Sequence, residues 1–230
     1  MGNLAGDLAR IEAAVAAGQT DLRILGFWTA VAAIKRDPAL IEAHADQVGR
    51  IDTAAFRARV RPRFPVWVGN AALVGVLLGG AAAVVVASVA EGSLAGLALV
   101  AAAVAWSVGA HSPAHWVVGR VVGIRSTDYF FGGPPPPRPG LKTDYASYLR
   151  TSARARAWFH ASGALATKAA PFVALGLAPL TNAPGWAVLA TLGLGLVQIA
   201  TDLAFSVKTS DWKKFRREMA IAHEAAARAG

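Results

Sequence analysis

Cysteine is absent from the 230-residue chain, which excludes disulfides, thiolate zinc sites and cysteine nucleophiles and leaves the redox compartment unread. Charge is scarce as well. Only 16% of the residues are Asp, Glu, Lys or Arg, against 55% hydrophobic residues and a mean hydropathy of +0.43. So little charge excludes an ordinary soluble domain and predicts a polytopic membrane protein. The opening MGNLAGDLAR has no basic stretch followed by an apolar core, so no cleavable signal peptide is expected. Gly6 also stands where a myristoylation motif wants Ser or Thr.

What charge there is has one dominant sign, a net +9, and an uneven placement. Nine of the 23 Lys and Arg precede residue 65, seven lie between 119 and 156, six follow 207, and Lys168 alone lies elsewhere. This is the positive-inside pattern, so the basicity is read as topology and attraction to anionic lipid headgroups, and no nucleic-acid partner is expected.

Residues 1–64 are polar enough to be a cytosolic helical region. Leu4, Leu8, Ile11 and Val15 recur at helical spacing, and Thr20 or Asp21 can cap a helix carrying Leu25, Trp28, Val31 and Ile34. Asp37-Pro38 starts a third helix that Gly49 can end, and Asp52 can cap a fourth leading through Arg57, Arg59, Arg61 and Arg63 to the membrane. The core, 65–210, is predicted to hold four spans near 66–90, 94–118, 157–180 and 186–207. Gly75 and Gly79 suggest a close helix contact in the first of these. Pro113 predicts a kink in the second. Between spans two and three, the cytosolic loop 120–156 holds an extended stretch at 124–131, a stiff GGPPPPRPG at 132–140 and a membrane-surface segment at 144–150. Residues 211–230 form a cytosolic tail. The fold class is therefore all-α, multi-pass, with the lipid bilayer as partner and both termini cytosolic.

Few ionisable residues fall within the spans: His111, His115, His160, Lys168 and Asp202. Such residues are costly in a bilayer and mark functional sites by default. His111 and His115 are four apart, so they share one helix face. At ~1.5 Å per residue His111 and His115 lie ~13 and ~8 Å inside the border at Arg120, and Asp202 ~9 Å inside Lys208. Two imidazoles and a carboxylate with an open fourth position form the ligand set of a catalytic zinc site. Lys168 offers Asp202 a different partner, reached by snorkelling over roughly two turns. His160 reads as interfacial.

The run His111 to Gly133, HSPAHWVVGRVVGIRSTDYFFGG, resembles the active-site helix of the site-2 protease family of intramembrane zinc metalloproteases, with HSPAH in place of HExxH. The resemblance covers roughly residues 66–210. It implies zinc held by His111, His115 and Asp202, and transmembrane or extended peptide segments as partners. It also implies a groove near Ser152–Thr167, where Arg156 and Gly163 match the family while Ala164 and Thr167 replace its proline and asparagine. At the third ligand Asp202-Leu203 replaces the family's Asp-Gly. Ser112 occupies the position of the catalytic glutamate and cannot take a proton from water at neutral pH, a loss typically of 10² to 10⁴ in rate. The expected function is a divergent, metal-binding, proteolytically inactive or weakly active relative in the plasma membrane of a prokaryote. The alternatives are an active protease with a substitute base, and a four-helix scaffold or small transporter without metal.

The charge pattern makes a direct prediction. Reporters fused after Gly92 and Pro184 should read as external and those after Pro137 and Gly230 as internal. An external reading at Pro137 would overturn the arrangement.

Overall fold

The computed structural model describes residues 3–132, 138–204 and 210–229. In chain order the elements are α1 (Leu4–Ala16), α2 (Phe27–Ile34), α3 (Pro38–Arg59), β1 (Arg63–Pro65), α4 (Val66–Val89), α5 (Gly92–Val122), β2 (Ser126–Gly132), β3 (Arg138–Thr143), α6 (Tyr145–Arg150), α7 (Ala153–Leu177) with a 3-10 turn (Ala178–Leu180), α8 (Gly185–Ala204) and α9 (Asp211–Ala229). Four helical stretches, α4, α5, α7 with its 3-10 turn and α8, are long and apolar enough to cross a membrane. The protein is thus an all-α polytopic membrane protein that also carries a small three-stranded sheet. Residues 205–207 of the expected fourth span and 133–137 of the stiff stretch lie outside the described residues.

The chain divides into two compact units, each drawn from separated segments. One comprises Met1–Val66, Gly119–Arg156 and Arg217–Gly230, the other Trp67–Val118 and Ala157–Arg216.

In the first unit, Leu8, Ile11 and Val15 of α1 bury one face against Phe27, Val31 and Ile34 of α2 and Val48 and Ile51 of α3. The Asn3 side chain caps α1 at the Gly6 amide, and Asp37 caps α3 at the Ala39 amide with Pro38 in the first turn. The expected break at Gly49 does not occur: α3 runs on to Arg59. Gly49 is instead the point where α6 comes close, since a Cβ there would stand 2.9 Å from that of Ala146. Asp52, expected as a cap, is buried and paired with Lys142 of β3. The 144–150 segment was expected on the membrane surface; it forms α6, capped by Asp144, with Ala146, Tyr148 and Leu149 buried. The reason is Leu149, which joins the core of α1 to α3. The strands run antiparallel in the order β1-β2-β3, with Phe64 opposite Tyr129 and Tyr129 opposite Leu141.

A buried ion cluster fastens the C-terminal part of α9 within this unit. Glu218 accepts from Lys35 at 2.6 Å, from Arg156 at 2.7 Å and from the Tyr148 hydroxyl at 3.0 Å. Arg156 also donates to the carbonyls of Leu149 and Thr151. Burial by itself would raise the Glu218 carboxyl, but the two cations and their hydrogen bonds reverse this and hold it below the usual carboxylate range.

In the second unit, small residues let the helices approach. Gly80 of α4 meets the ring of Trp106 on α5, Gly109 of α5 meets Leu77, and Gly195 of α8 meets Phe172 of α7. Gly75 and Gly79, expected at such a contact, face open space. Trp106 donates its indole N–H to the Leu77 carbonyl at 3.0 Å. Asn182 donates to the carbonyls of Ser88 and Ala90, which satisfies acceptors left free at the end of α4. Helix α5 continues through Pro113. Large apolar side chains such as Leu78, Val85 and Leu189 stand exposed along these helices, as lipid-facing residues do.

Glu218→Gln leaves two buried cations without their counter-charge. It should cost about 3–5 kcal/mol, read as a lowered thermal unfolding midpoint in detergent. Because the folded carboxyl titrates below its unfolded value of about 4.3, this contribution is full above pH ~5 and is lost as pH falls through the folded value.

Candidate metal centre

His111 and His115, one turn apart on α5, stack edge to face with ring centroids 4.9 Å apart. Asp211, the first residue of α9, places Oδ2 at 3.4 Å from Nε2 of His111 and 3.3 Å from Nε2 of His115. One ligand atom from each of the three residues lies within 4.8 Å of the others, so the group can hold a metal ion. Ser210 supplies the start of α9 by accepting from the Lys213 amide, and Lys214, one turn on, binds the second oxygen of Asp211 at 3.2 Å.

The hydrogen bonds behind the two rings fix their tautomers. Thr167 on α7 gives its hydroxyl hydrogen to the Gly163 carbonyl, so it meets Nδ1 of His111, at 3.0 Å, as an acceptor. His115 Nδ1 lies 2.7 Å from the Phe159 carbonyl, an acceptor only, which Ser162 also reaches with its hydroxyl. Both Nδ1 atoms therefore carry hydrogen, and in the neutral rings both Nε2 atoms present lone pairs. Those lone pairs converge on a carboxylate oxygen, another acceptor. Three acceptors at this spacing repel one another unless a cation or protons lie among them. Bonds of about 2.0–2.1 Å at tetrahedral angles put ligand atoms about 3.3–3.4 Å apart, the separation found here between the carboxylate oxygen and each Nε2. Backing of each ligand histidine by a carbonyl or hydroxyl is also how metal sites orient their imidazoles.

Asp211 lies outside the spanning helices. Burial pushes its carboxyl up, while a hydrogen bond donated by His115 when that ring is protonated and the charge of Lys214 outweigh this and hold it well below the usual carboxylate range. Gly163 is required by the same packing, because a Cβ there would overlap the His115 ring, 2.8 Å from its Cε1.

Of the residues singled out in the sequence, His111 and His115 come together and Asp202 does not join them. Asp202 pairs with Lys168, whose ammonium also reaches the Ala164 carbonyl. The expected third ligand is thus corrected: the carboxylate at the imidazoles belongs to Asp211. The reason is competition, since Lys168 needs a counter-charge within an apolar helix and Asp202 supplies it. Asp211 carried a sequence signal that the depth count passed over: Ser210-Asp211 ahead of an amphipathic run is a helix start, and it is the first acid in the basic border. Ser112 is buried and, among the described residues, makes no hydrogen bond to the cluster. His160 packs against the Phe159 ring and is not part of the cluster.

Comparisons of the chain with models of known protein families, with curated proteins and with solved structures yield no match. The class defined here is accordingly an all-α polytopic membrane protein with a two-histidine, one-carboxylate group that can hold a metal ion.

Gly163→Ala should turn the His115 ring aside and lower metal affinity by roughly 10–100-fold, the range seen when the support of a ligand histidine is disturbed. Competition of purified protein against a chromophoric zinc chelator measures it.

Proposed function

We propose that this chain is a divergent site-2 protease-like membrane protein in which His111, His115 and Asp211 bind one divalent ion, with zinc the best fit, and which does not hydrolyse peptides by that family's route. The observation carrying this reading is the convergence of the two Nε2 atoms on the Asp211 carboxylate, with each Nδ1 held from behind by an oxygen. Two imidazoles and one carboxylate suit zinc, whereas an all-oxygen set would suit magnesium or calcium. When bound, the ion supplies Lewis acidity and holds the first turn of α9 against α5.

The chain's own residues do not supply a proton acceptor for hydrolysis. Ser112 stands where the resemblance calls for glutamate, and among the described residues Asp211 is the single carboxylate at the histidine pair. As a ligand it gives its electrons to the cation and is not free to take a proton from water. Lys214, beside it, donates to the other Asp211 oxygen. Binding of membrane-embedded or extended peptide segments without cleavage is the role that fits both the resemblance and the missing base. The orientation that fits the charge pattern has both termini and the 120–156 loop in the cytosol, in the plasma membrane of a prokaryote.

Metal analysis of the purified full chain is the test. About one zinc per chain is expected in the wild type and in Asp202→Asn. His111→Ala/His115→Ala should lose it, and Asp211→Asn should bind at least tenfold more weakly. A wild type that purifies without metal and takes none up would replace the metal reading with a protonated imidazole–carboxylate cluster. Chelator-sensitive proteolysis of a transmembrane substrate by the wild type, abolished by His115→Ala, would overturn the inactive reading.

A further inference from the structure

In the first unit the basic side chains around the sheet are mostly matched to acids: Lys142 to Asp52, Arg125 to Asp144, Arg150 to Asp46 and Arg50 to Glu12. Arg57, Arg59, Arg61 and Arg63 stand apart from these. They alternate over seven residues between the last turn of α3 and β1, and their guanidinium groups make no ion pair or hydrogen bond among the described residues. Arg57, Arg61 and Arg63 line an open cleft of about 920 Å³, together with Phe64 and, across the β1–β2 pairing, Asp128 opposite Pro65. The next residue, Val66, begins the membrane-spanning helix α4.

Like charges held this close raise one another's energy unless an anion lies among them. A guanidinium presents paired donors that match two oxygens of a phosphate, which an ammonium does not. The position fixes the source of the phosphate. A cleft one residue from the start of a spanning helix lies within a Debye length of the headgroup layer, where basic residues are attracted to anionic lipid. Phe64, 36% exposed, offers an apolar wall for the glycerol end of such a lipid. Asp128, on the same cleft, offsets part of the positive charge and so opposes an anion there.

We propose that this cleft binds the phosphate of an anionic phospholipid headgroup through Arg57, Arg61 and Arg63. The proposal is independent of the metal centre and rests on the spanning helices and the unmatched arginines alone.

The test uses the full chain in mild detergent, exchanged with phosphatidylglycerol or phosphatidylcholine, with retained lipid counted by native mass spectrometry. The wild type should prefer phosphatidylglycerol. Arg57→Ala/Arg61→Ala/Arg63→Ala should weaken that preference by about 100-fold, at roughly fivefold per arginine near a membrane surface. Asp128→Asn should strengthen it. A charge-matched control, Arg23→Ala/Arg120→Ala/Arg154→Ala, removes three exposed arginines that line no part of the cleft and should change the preference little. An equal loss in the control, or an unchanged preference in the cleft variant, would overturn the site in favour of diffuse attraction. Retention of soluble glycerol phosphate as tight as that of phosphatidylglycerol, and lost in the cleft variant, would overturn the lipid assignment.

Discussion

A polar group carried on an apolar helix must find its partner within the protein, and the helical unit is arranged around that requirement. Trp106 turns its indole N–H to the Leu77 carbonyl, Gln198 donates to the Ser107 hydroxyl, and Lys168 takes Asp202. Each partnership decides which face of a helix turns inward. The two histidines are the same case with a different outcome. Their Nδ1 atoms are satisfied by Thr167 and the Phe159 carbonyl, and their Nε2 atoms are left aimed at Asp211. Among the described residues the Gln198 carbonyl oxygen is a buried acceptor without a partner.

In the first unit the same physics appears with full charges. Lys35, Arg156 and Glu218 are nearly sealed from solvent, which is tolerable because each oxygen of Glu218 faces a cation and Arg156 spends further donors on two carbonyls. The segments that meet there come from α2, the start of α7 and α9, far apart in the chain. Removing the one carboxylate would expose the cost of both cations at once. The arginines before α4 show the opposite condition, charge without an ion-pair partner among the described residues.

Much of this architecture is legible in the amino-acid order. Apolar runs of the right length define four spanning helices, because in lipid the backbone can satisfy itself only within a helix. Asp37-Pro38 marks the start of α3, and the Leu8, Ile11, Val15 spacing marks its buried neighbour. The i, i+4 histidines point to one helix face without any knowledge of the fold. Gly49 shows where such reading fails. A glycine that looks like a helix end is a helix contact once Ala146 is beside it.

The sequence by itself determined the four apolar helices and the histidine pair, since each depends on local composition and spacing. Only the tertiary structure decided which carboxylate meets the imidazoles. Asp202 and Asp211 are nine residues apart, and both lie near the same end of the fourth span. The choice between them depends on Lys168 reaching one and on the direction in which α9 starts after Ser210. Those are questions of side-chain reach and helix direction in three dimensions, and a count of depth along separate helices does not contain them.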